Sequence, residues 1–417
     1  MERLAEFVKR HLNDDTTRLM LDRNKWPEID MVAVVNCIES RKKLKGKVQE
    51  WYDEPRLVFP LKLSAEQCSS SATASYKSKL AERICKKSSG WSLADLTGGL
   101  GVDSWYFSRS AEKVLYCEMQ EALCKAARHN FNVLGADNIV IRNVICSPGS
   151  IREILEDFSP DIIYLDPARR AEDGKKVFLI EDCTPDILSL KDELFRHSRH
   201  ILLKLSPMAD ITMACMRLGD SCREVHIIGY KGECKELLIW MDREWNEEYT
   251  ISATEIHDQQ TSPSFTFRAS EEKSATCLLT EADMPGRAPG RHFLFEPGKA
   301  LMKSGAFNLV GERSGIRKLG RSTHYYIVED EETARRLTAH GKLFRIMECL
   351  PMDKRSMKTV GKSHPYADVT ARNIHMDSDA LRKRLGVKPG NGIHIFGLQS
   401  DASGALLVVA GRYAFED

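Results

Sequence analysis

The chain has 417 residues, 42% of them hydrophobic and 29% charged, with a formal net charge of +1. That is the balance of a soluble globular protein too long for one ordinary core and sized for two to four domains. No run approaches the roughly 18 to 20 uncharged apolar residues of a membrane helix, and the opening stretch MERLAEFVKRHLNDDTTRLM is charged throughout, unlike a secretory signal or an acid-poor transit peptide, so the expectation is a cytoplasmic protein without a membrane partner.

Residues 1 to about 50 carry helical periodicity. Leu4, Phe7, Val8 and Leu12 share one face, and a second segment, Met31–Ile38, follows Pro27. Ser64 is a candidate N-cap with Gln67 at the third helical position, and the run after it reads as helix to about Lys87. From Trp91 the texture changes to short apolar runs separated by helix-length stretches: SLADLTGG, KVLYCE, NIVIRNV, DIIYLDP, HILLKLSP, EVHIIGY and ELLIWM. That alternation predicts βαβ units around a parallel sheet covered on both faces. The last two runs are joined only by KGECK, which suits an antiparallel hairpin. After Trp245 the pattern ends, PGRAPG at 285–290 marks a boundary, and two small α+β segments follow, divided near EDEE at 329–332. The domains expected are a helical module at 1–88, an α/β domain at 89–248, and small α+β domains at 249–338 and 339–417.

In open α/β sheets ligands bind beyond the carboxyl ends of the strands. The first such end is DLTGGLGVD, Asp95 to Asp103, where Gly98, Gly99 and Gly101 permit a tight turn close to a ligand. The dinucleotide fingerprint G-x-G-x-x-G is broken at Ser104, and no Walker lysine follows, which argues against a dehydrogenase and a P-loop enzyme. Glu118 ends the second strand at about the interval where a carboxylate reaches ribose hydroxyls. The third strand ends without an acid, near Asn143, Cys146 and Ser147. The fourth ends at Asp166–Pro167.

D-x-T-x-G-x-G, an acid after the second strand and DPAR after the fourth resemble the class I S-adenosylmethionine-dependent methyltransferases, over roughly 90–245. With FEPGKALMKSGAFNLV at 295–310 and the terminal segment, the chain is most similar to a bacterial group of such enzymes that carries a ferredoxin-like and a THUMP-like domain at its C-terminus. The resemblance implies a doubly wound Rossmann-like sheet, S-adenosylmethionine as cofactor, and RNA as substrate. By position it implies that Asp95, Thr97, Gly98, Gly99, Gly101 and Asp103 surround the cofactor, that Glu118 holds its ribose, and that Asn143 stands where other members place an acid against the adenine.

Asp166 and Pro167 resemble the [DNS]-P-P-[YFR] signature of methyltransferases that act on amino groups or other base atoms. A carboxylate there can hold an exocyclic amine in line with a sulfonium methyl. Ala168 replaces the second proline of that signature and leaves the target atom open. Asp-Pro also simply starts loops. Arg169 or Arg170 can hold a phosphate or pair with an acid. Lys204, ending the fifth strand, and Thr73, Tyr76 and Lys77 before the first strand, can face the same mouth, and Cys146 or Cys183 leaves a covalent route open.

Twelve cysteines without a C-x-x-C pair and twelve histidines without H-x-x-x-H predict reduced thiols and no metal. Residues 335–390 hold 13 Lys and Arg against 5 acids, a surface suited to a polyanion. The reading is therefore a methyltransferase acting on a base of RNA, rRNA or tRNA, by direct in-line transfer. The alternatives are a protein or small-molecule methyltransferase, or a non-catalytic RNA-binding protein with a vestigial cofactor fold.

Overall fold

The helices begin where the sequence offers caps. Asp30 accepts the Ala33 amide at 3.0 Å and starts a helix at Met31, and Ser70 accepts the Thr73 amide at 3.2 Å to start the one at Ser71. In the computed structural model, which describes residues 2–86, 90–169, 180–257, 260–280 and 292–413, the chain forms two compact units.

The first unit holds residues 1–225 and 235–249. Its N-terminal helices are α1 (Glu2–Arg10), α2 (Thr16–Leu21), α3 (Met31–Leu44), α4 (Gln49–Asp53), α5 (Lys62–Gln67) and α6 (Ser71–Cys85). Then β1 (Ser92–Asp95), α7 (Val102–Ser108), β2 (Lys113–Glu118), α8 (Glu121–Val133), β3 (Ile139–Asn143), α9 (Ile151–Leu155) and β4 (Ile162–Leu165) alternate. A two-residue pair, β5 (Ala168–Arg169) with β6 (Cys183–Thr184), precedes α10 (Ile187–His197), β7 (His200–Leu205), α11 (Ile211–Leu218), β8 (Cys222–Tyr230) and β9 (Glu233–Asp242), residues 226–234 of the last two strands being assigned to the second unit.

Strands β3, β2, β1, β4 and β7 lie side by side and parallel, and β9 adds to β7 antiparallel, His200 opposite Asp242. The doubly wound sheet expected from the βαβ texture is thus present, and the reversal expected at the last strands falls at β9. β1, β2, β4 and β7 are almost wholly buried along their length, as strands covered on both faces must be.

The expected helical module at 1–88 shares a core with the sheet's helices. Val34, Ile38, Trp51 and Phe59 are buried in one cluster with Trp105, Tyr116 and Phe131, each large apolar side chain contributing on the order of 1.5–3 kcal/mol. Two polar devices fix the junction. Asn130 pairs with both backbone groups of Val58 at 2.8 Å, and the buried Arg41 guanidinium donates to the carbonyls of Trp51, Tyr52, Glu54 and Leu57. Buried groups paired in this way would be left without partners in another docking of the module, which disfavours it.

In the second unit the two expected α+β segments share a single sheet. Phe293–Pro297 pairs antiparallel with both Tyr326–Val328 and Gly341–Pro351, and the latter continues through Gly404–Tyr413 and Ile393–Ser400 to Asp368–Arg372. Leu294, Ile327, Phe344, Phe396 and Val408 pack in one cluster on it. The PGRAPG boundary lies outside the described residues.

One histidine here has a consequence for stability. His324 stacks on Phe307 with ring centroids 3.7 Å apart, its Nδ1 is buried without a hydrogen-bond partner, and burial, with Lys318 adding to it, pushes its pKa down to about 4. The folded unit therefore keeps this ring neutral while the unfolded chain protonates it near its ordinary value. Stability is complete above about pH 6.5 and falls as the pH drops toward 4. Thermal melting of the chain between pH 7 and 4.5 should show this loss, and His324→Phe, which keeps the stack and removes the titration, should make it smaller, with His200, His340 and His394, whose pKa values burial also lowers, supplying the rest.

Candidate active site

Three strand ends and one glycine turn build a cavity of about 420 Å³. At the end of β1, Asp95 is 1% exposed and accepts hydrogen bonds from Ser104 Oγ at 2.6 Å and from the Thr97 amide at 3.0 Å. Burial pushes its pKa up to about 7, against the pull of those two donors, with Asp103 and Asp166 adding repulsion. Thr97 Oγ1 accepts the Asp166 amide at 2.6 Å, which ties the end of β1 to the end of β4.

The turn after β1 is possible only with glycine at two points. A Cβ on Gly98 would lie 2.2 Å from the Tyr116 ring, and Gly101 combines φ +94° with a would-be Cβ contact of 2.7 Å to Phe131. Gly99 turns its amide outward to Glu118 Oε2 at 3.0 Å, while Glu118 Oε1 accepts the Gln120 amide at 2.8 Å. The carboxylate at the end of β2 is therefore fixed by both loops that flank it. Its remaining lone pairs suit a vicinal diol.

Asp95, Thr97, Gly98, Gly99, Gly101, Asp103, Glu118 and Asp166 all line the cavity. Asp103 is turned to a structural task. Its Oδ2 accepts from Ser69 Oγ at 2.8 Å and Tyr164 Oη at 2.9 Å, and Lys77 Nζ stands 3.2 Å from Oδ1. Burial alone would raise its pKa, but Lys77 and Lys204 hold it below the usual carboxylate range.

Asn143 does not line the cavity. Its amide donates to the carbonyls of Glu118 at 2.8 Å and Met119 at 3.0 Å, so it braces the loop that carries Glu118. The apolar wall there comes instead from Met119, Leu123, Val144, Ile145 and Cys146. Met119 and Ile145 are 60% and 64% exposed, unusual for large apolar side chains and suited to covering a planar ligand. Pro167 is buried beside Asp166, and the backbone of Arg169 pairs with Cys183 in the β5–β6 ladder. The Arg169 side chain, and Arg170 entirely, lie outside the described residues. Cys146 is pushed up to about 12 by burial, the opposite of what a nucleophilic thiol requires.

Beside Asp166 the sheet supplies a cation. Lys204 Nζ is 2.6 Å from Asp166 Oδ2 and 3.9 Å from Glu236 Oε2. Burial alone would depress the Lys204 pKa, but Asp166, Glu236 and Asp103 overcome it, so the amine is held protonated well above its ordinary range. Behind it the wholly buried Lys77 binds both oxygens of Glu236 at 2.9 Å. Of the helix residues expected near the mouth, Lys77 thus joins the charge cluster, while Thr73 and Tyr76 do not line the cavity. Glu236 was not anticipated.

Among the described residues no group of three or more His, Cys, Asp or Glu side chains is placed to hold a metal ion, and no helix is long and apolar enough to cross a membrane.

Family models for a ferredoxin-like domain and a THUMP domain-like segment match residues 293–333 and 341–412. No curated protein matches the chain. Among solved structures, a candidate methyltransferase from Porphyromonas gingivalis W83 is 30% identical over 99% of this chain and 98% of its own, with a TM-score of 0.86. Precorrin-6y C5,15-methyltransferase from Geobacter metallireducens GS-15 is 14% identical, covering 41% of this chain and 87% of its own at a TM-score of 0.28. TrmK of M. capricolum, solved with S-adenosyl-homocysteine, is 14% identical over 40% of this chain and 68% of its own at 0.28. These last two scores are too low to carry an argument. The near full-length match, the two C-terminal family models and the sheet with its glycine turn agree: the chain belongs to the class I S-adenosylmethionine-dependent methyltransferases that carry ferredoxin-like and THUMP-like segments at their C-terminus.

Proposed function

We propose that the chain methylates RNA, with S-adenosylmethionine held in the cavity at the ends of β1, β2 and β4. The observation that carries this reading is the convergence of Glu118 and the Gly98–Gly101 turn on one side of that cavity with Asp166 on the other. The residues fit the cofactor. The glycine turn lies at the cavity wall, seated so closely on Tyr116 and Phe131 that a side chain at Gly98 or Gly101 would displace it, Glu118 offers carboxylate lone pairs to the ribose, and Met119 and Ile145 offer apolar cover to the adenine. When bound, the cofactor supplies an electrophilic methyl group on a sulfonium.

The chain's own part is positioning. Asp166 is anchored through its amide to Thr97 and through its carboxylate to Lys204, so the acceptor is met by a group already oriented, the largest economy available to a direct transfer. RNA is favoured by the THUMP-like segment, where adjacent helices Lys354–Ser363 and Ser378–Leu385 expose Lys354, Arg355, Lys358, Lys362, Lys383 and Arg384. Twelve unbridged cysteines fit a reducing, cytoplasmic setting.

Calorimetric titration of S-adenosylhomocysteine should give micromolar binding to the native chain, weakened on the order of tenfold or more in Glu118→Ala by loss of charged hydrogen bonds. The KM for RNA should rise steeply with salt as phosphate contacts are screened. Absence of cofactor binding by the folded native chain would remove the proposal, and a KM indifferent to salt would remove RNA from it.

A further inference from the structure

The residues around Asp166 form an alternating series of charges. Lys77 binds Glu236 through both carboxylate oxygens at 2.9 Å, Glu236 approaches Lys204 at 3.9 Å, and Lys204 reaches Asp166 at 2.6 Å. Lys77 and Glu236 are 0% and 2% exposed, whereas Lys204 and Asp166 open into the cavity. Lys77 comes from α6, Glu236 from β9, Lys204 from β7 and Asp166 from the residue after β4. Taking the Lys77 and Lys204 ammonium groups wholly or largely out of water is costly, and the fold accepts that cost beside this cavity.

An exocyclic amine is poorly served by this arrangement. It needs acceptors for its N–H bonds, yet one oxygen of Asp166 is already engaged by Lys204. Its nitrogen gains positive charge as the new bond forms, which an adjacent ammonium opposes. A hydroxyl is served well. Its pKa lies far above neutrality, so it must lose a proton as it attacks, and an ammonium aimed at that oxygen stabilises the negative charge it develops. The free oxygen of Asp166 is the base within reach.

We infer that the acceptor is an alcohol, and, resting on the proposal that the substrate is RNA, that it is a ribose 2′-hydroxyl. The hydroxyl proton passes to the free carboxylate oxygen of Asp166 while an oxygen lone pair forms the new O–C bond. The C–S bond breaks with its electron pair returning to sulfur, which leaves a neutral thioether, and the Asp166 proton is then lost to water. Lys204 donates to the reacting oxygen throughout. Glu236 and Lys77 are positioning residues that hold Lys204 charged and directed at the cavity.

The test uses the full chain, methyl-tritiated S-adenosylmethionine, and total RNA from cells in which the gene for this chain is deleted, with the labelled RNA hydrolysed in alkali. A 2′-O-methyl group removes the neighbouring hydroxyl that cleaves the phosphodiester, so the inference expects label in alkali-stable dinucleotides. Label in mononucleotides would show a base acceptor and overturn the inference while leaving RNA as substrate. No label in RNA, from a chain that binds S-adenosylhomocysteine, would overturn the RNA proposal and this inference with it.

Lys204→Met should lower kcat by about a hundredfold or more with S-adenosylhomocysteine affinity within a few-fold of native, and it should also lower the melting temperature, because Asp166 and Glu236 lose the cation between them. Lys204→Arg, which restores a cation, should recover part of the loss. Undiminished turnover in Lys204→Met would overturn the role of the ammonium.

Discussion

Asp166→Asn should reduce methyl transfer by about 10²- to 10⁴-fold, the range expected when a positioned acid–base group is removed, while leaving S-adenosylhomocysteine affinity within a few-fold of the native value. The separation follows from how the residue is held. Its amide, not its carboxylate, bonds Thr97 at 2.6 Å, so the backbone geometry joining β1 and β4 survives the change. The side chain keeps its shape and loses only its charge and one acceptor. Lys204 then faces a neutral amide, but Glu236 at 3.9 Å still compensates it. The Asp166 side chain is 35% exposed, so the cost in stability should stay near that of a partly screened ion pair, on the order of 1 kcal/mol. Single-turnover kinetics with calorimetry on the same preparation separates the two quantities. A variant that lost cofactor binding and turnover together would make Asp166 a structural cap of the β4 end.

How much of this was legible beforehand differs between the sheet and the site. The parallel strands announced themselves because burial on both faces demands continuous apolar runs, and β2 and β4 are buried at nearly every position. Strand ends carrying Asp95, Glu118 and Asp166 were found by the same logic, since a polar residue closing an apolar run stands at the sheet's edge. The cation cluster was not readable. Lys77 and Glu236 are 159 positions apart, and no periodicity links a helix ahead of β1 to the antiparallel strand beside β7. Lys204 was legible as a residue near the mouth, but its partner depends on which way the β4 loop turns. Asn143 shows the reverse error. Its place after β3 suggested a ligand contact, yet an amide can serve carbonyls as readily as an adenine, and here it satisfies those of Glu118 and Met119. The two C-terminal segments looked separable because EDEE interrupts their apolar runs. What joins them is the pairing of Phe293–Pro297 with Gly341–Pro351, a long-range contact that composition does not encode.

Gly98→Ala should abolish detectable cofactor binding, and a second substitution should partly restore it. The added methyl would sit 2.2, 2.5 and 2.6 Å from three atoms of the Tyr116 ring, far inside contact distance, so one of the two must move. Tyr116 has no room to yield. It is fully buried, packs edge-on against Phe131 at 5.7 Å, and its hydroxyl donates to the Gly99 carbonyl at 2.6 Å. The turn is also pinned on its own side, because the Gly98 amide donates to the Cys117 carbonyl at 2.8 Å. Displacing it breaks that bond and swings the Gly99 amide away from Glu118, so the glycine turn and the carboxylate it holds fail together. If the clash is the cause, removing the ring removes the penalty. Tyr116→Ala alone should cost about 3–5 kcal/mol of stability from the cavity it leaves, yet Gly98→Ala combined with Tyr116→Ala should bind S-adenosylhomocysteine better than Gly98→Ala does. A double-mutant cycle on affinity reads this coupling directly. Additive losses would mean that the turn fails for a reason other than the clash with the ring.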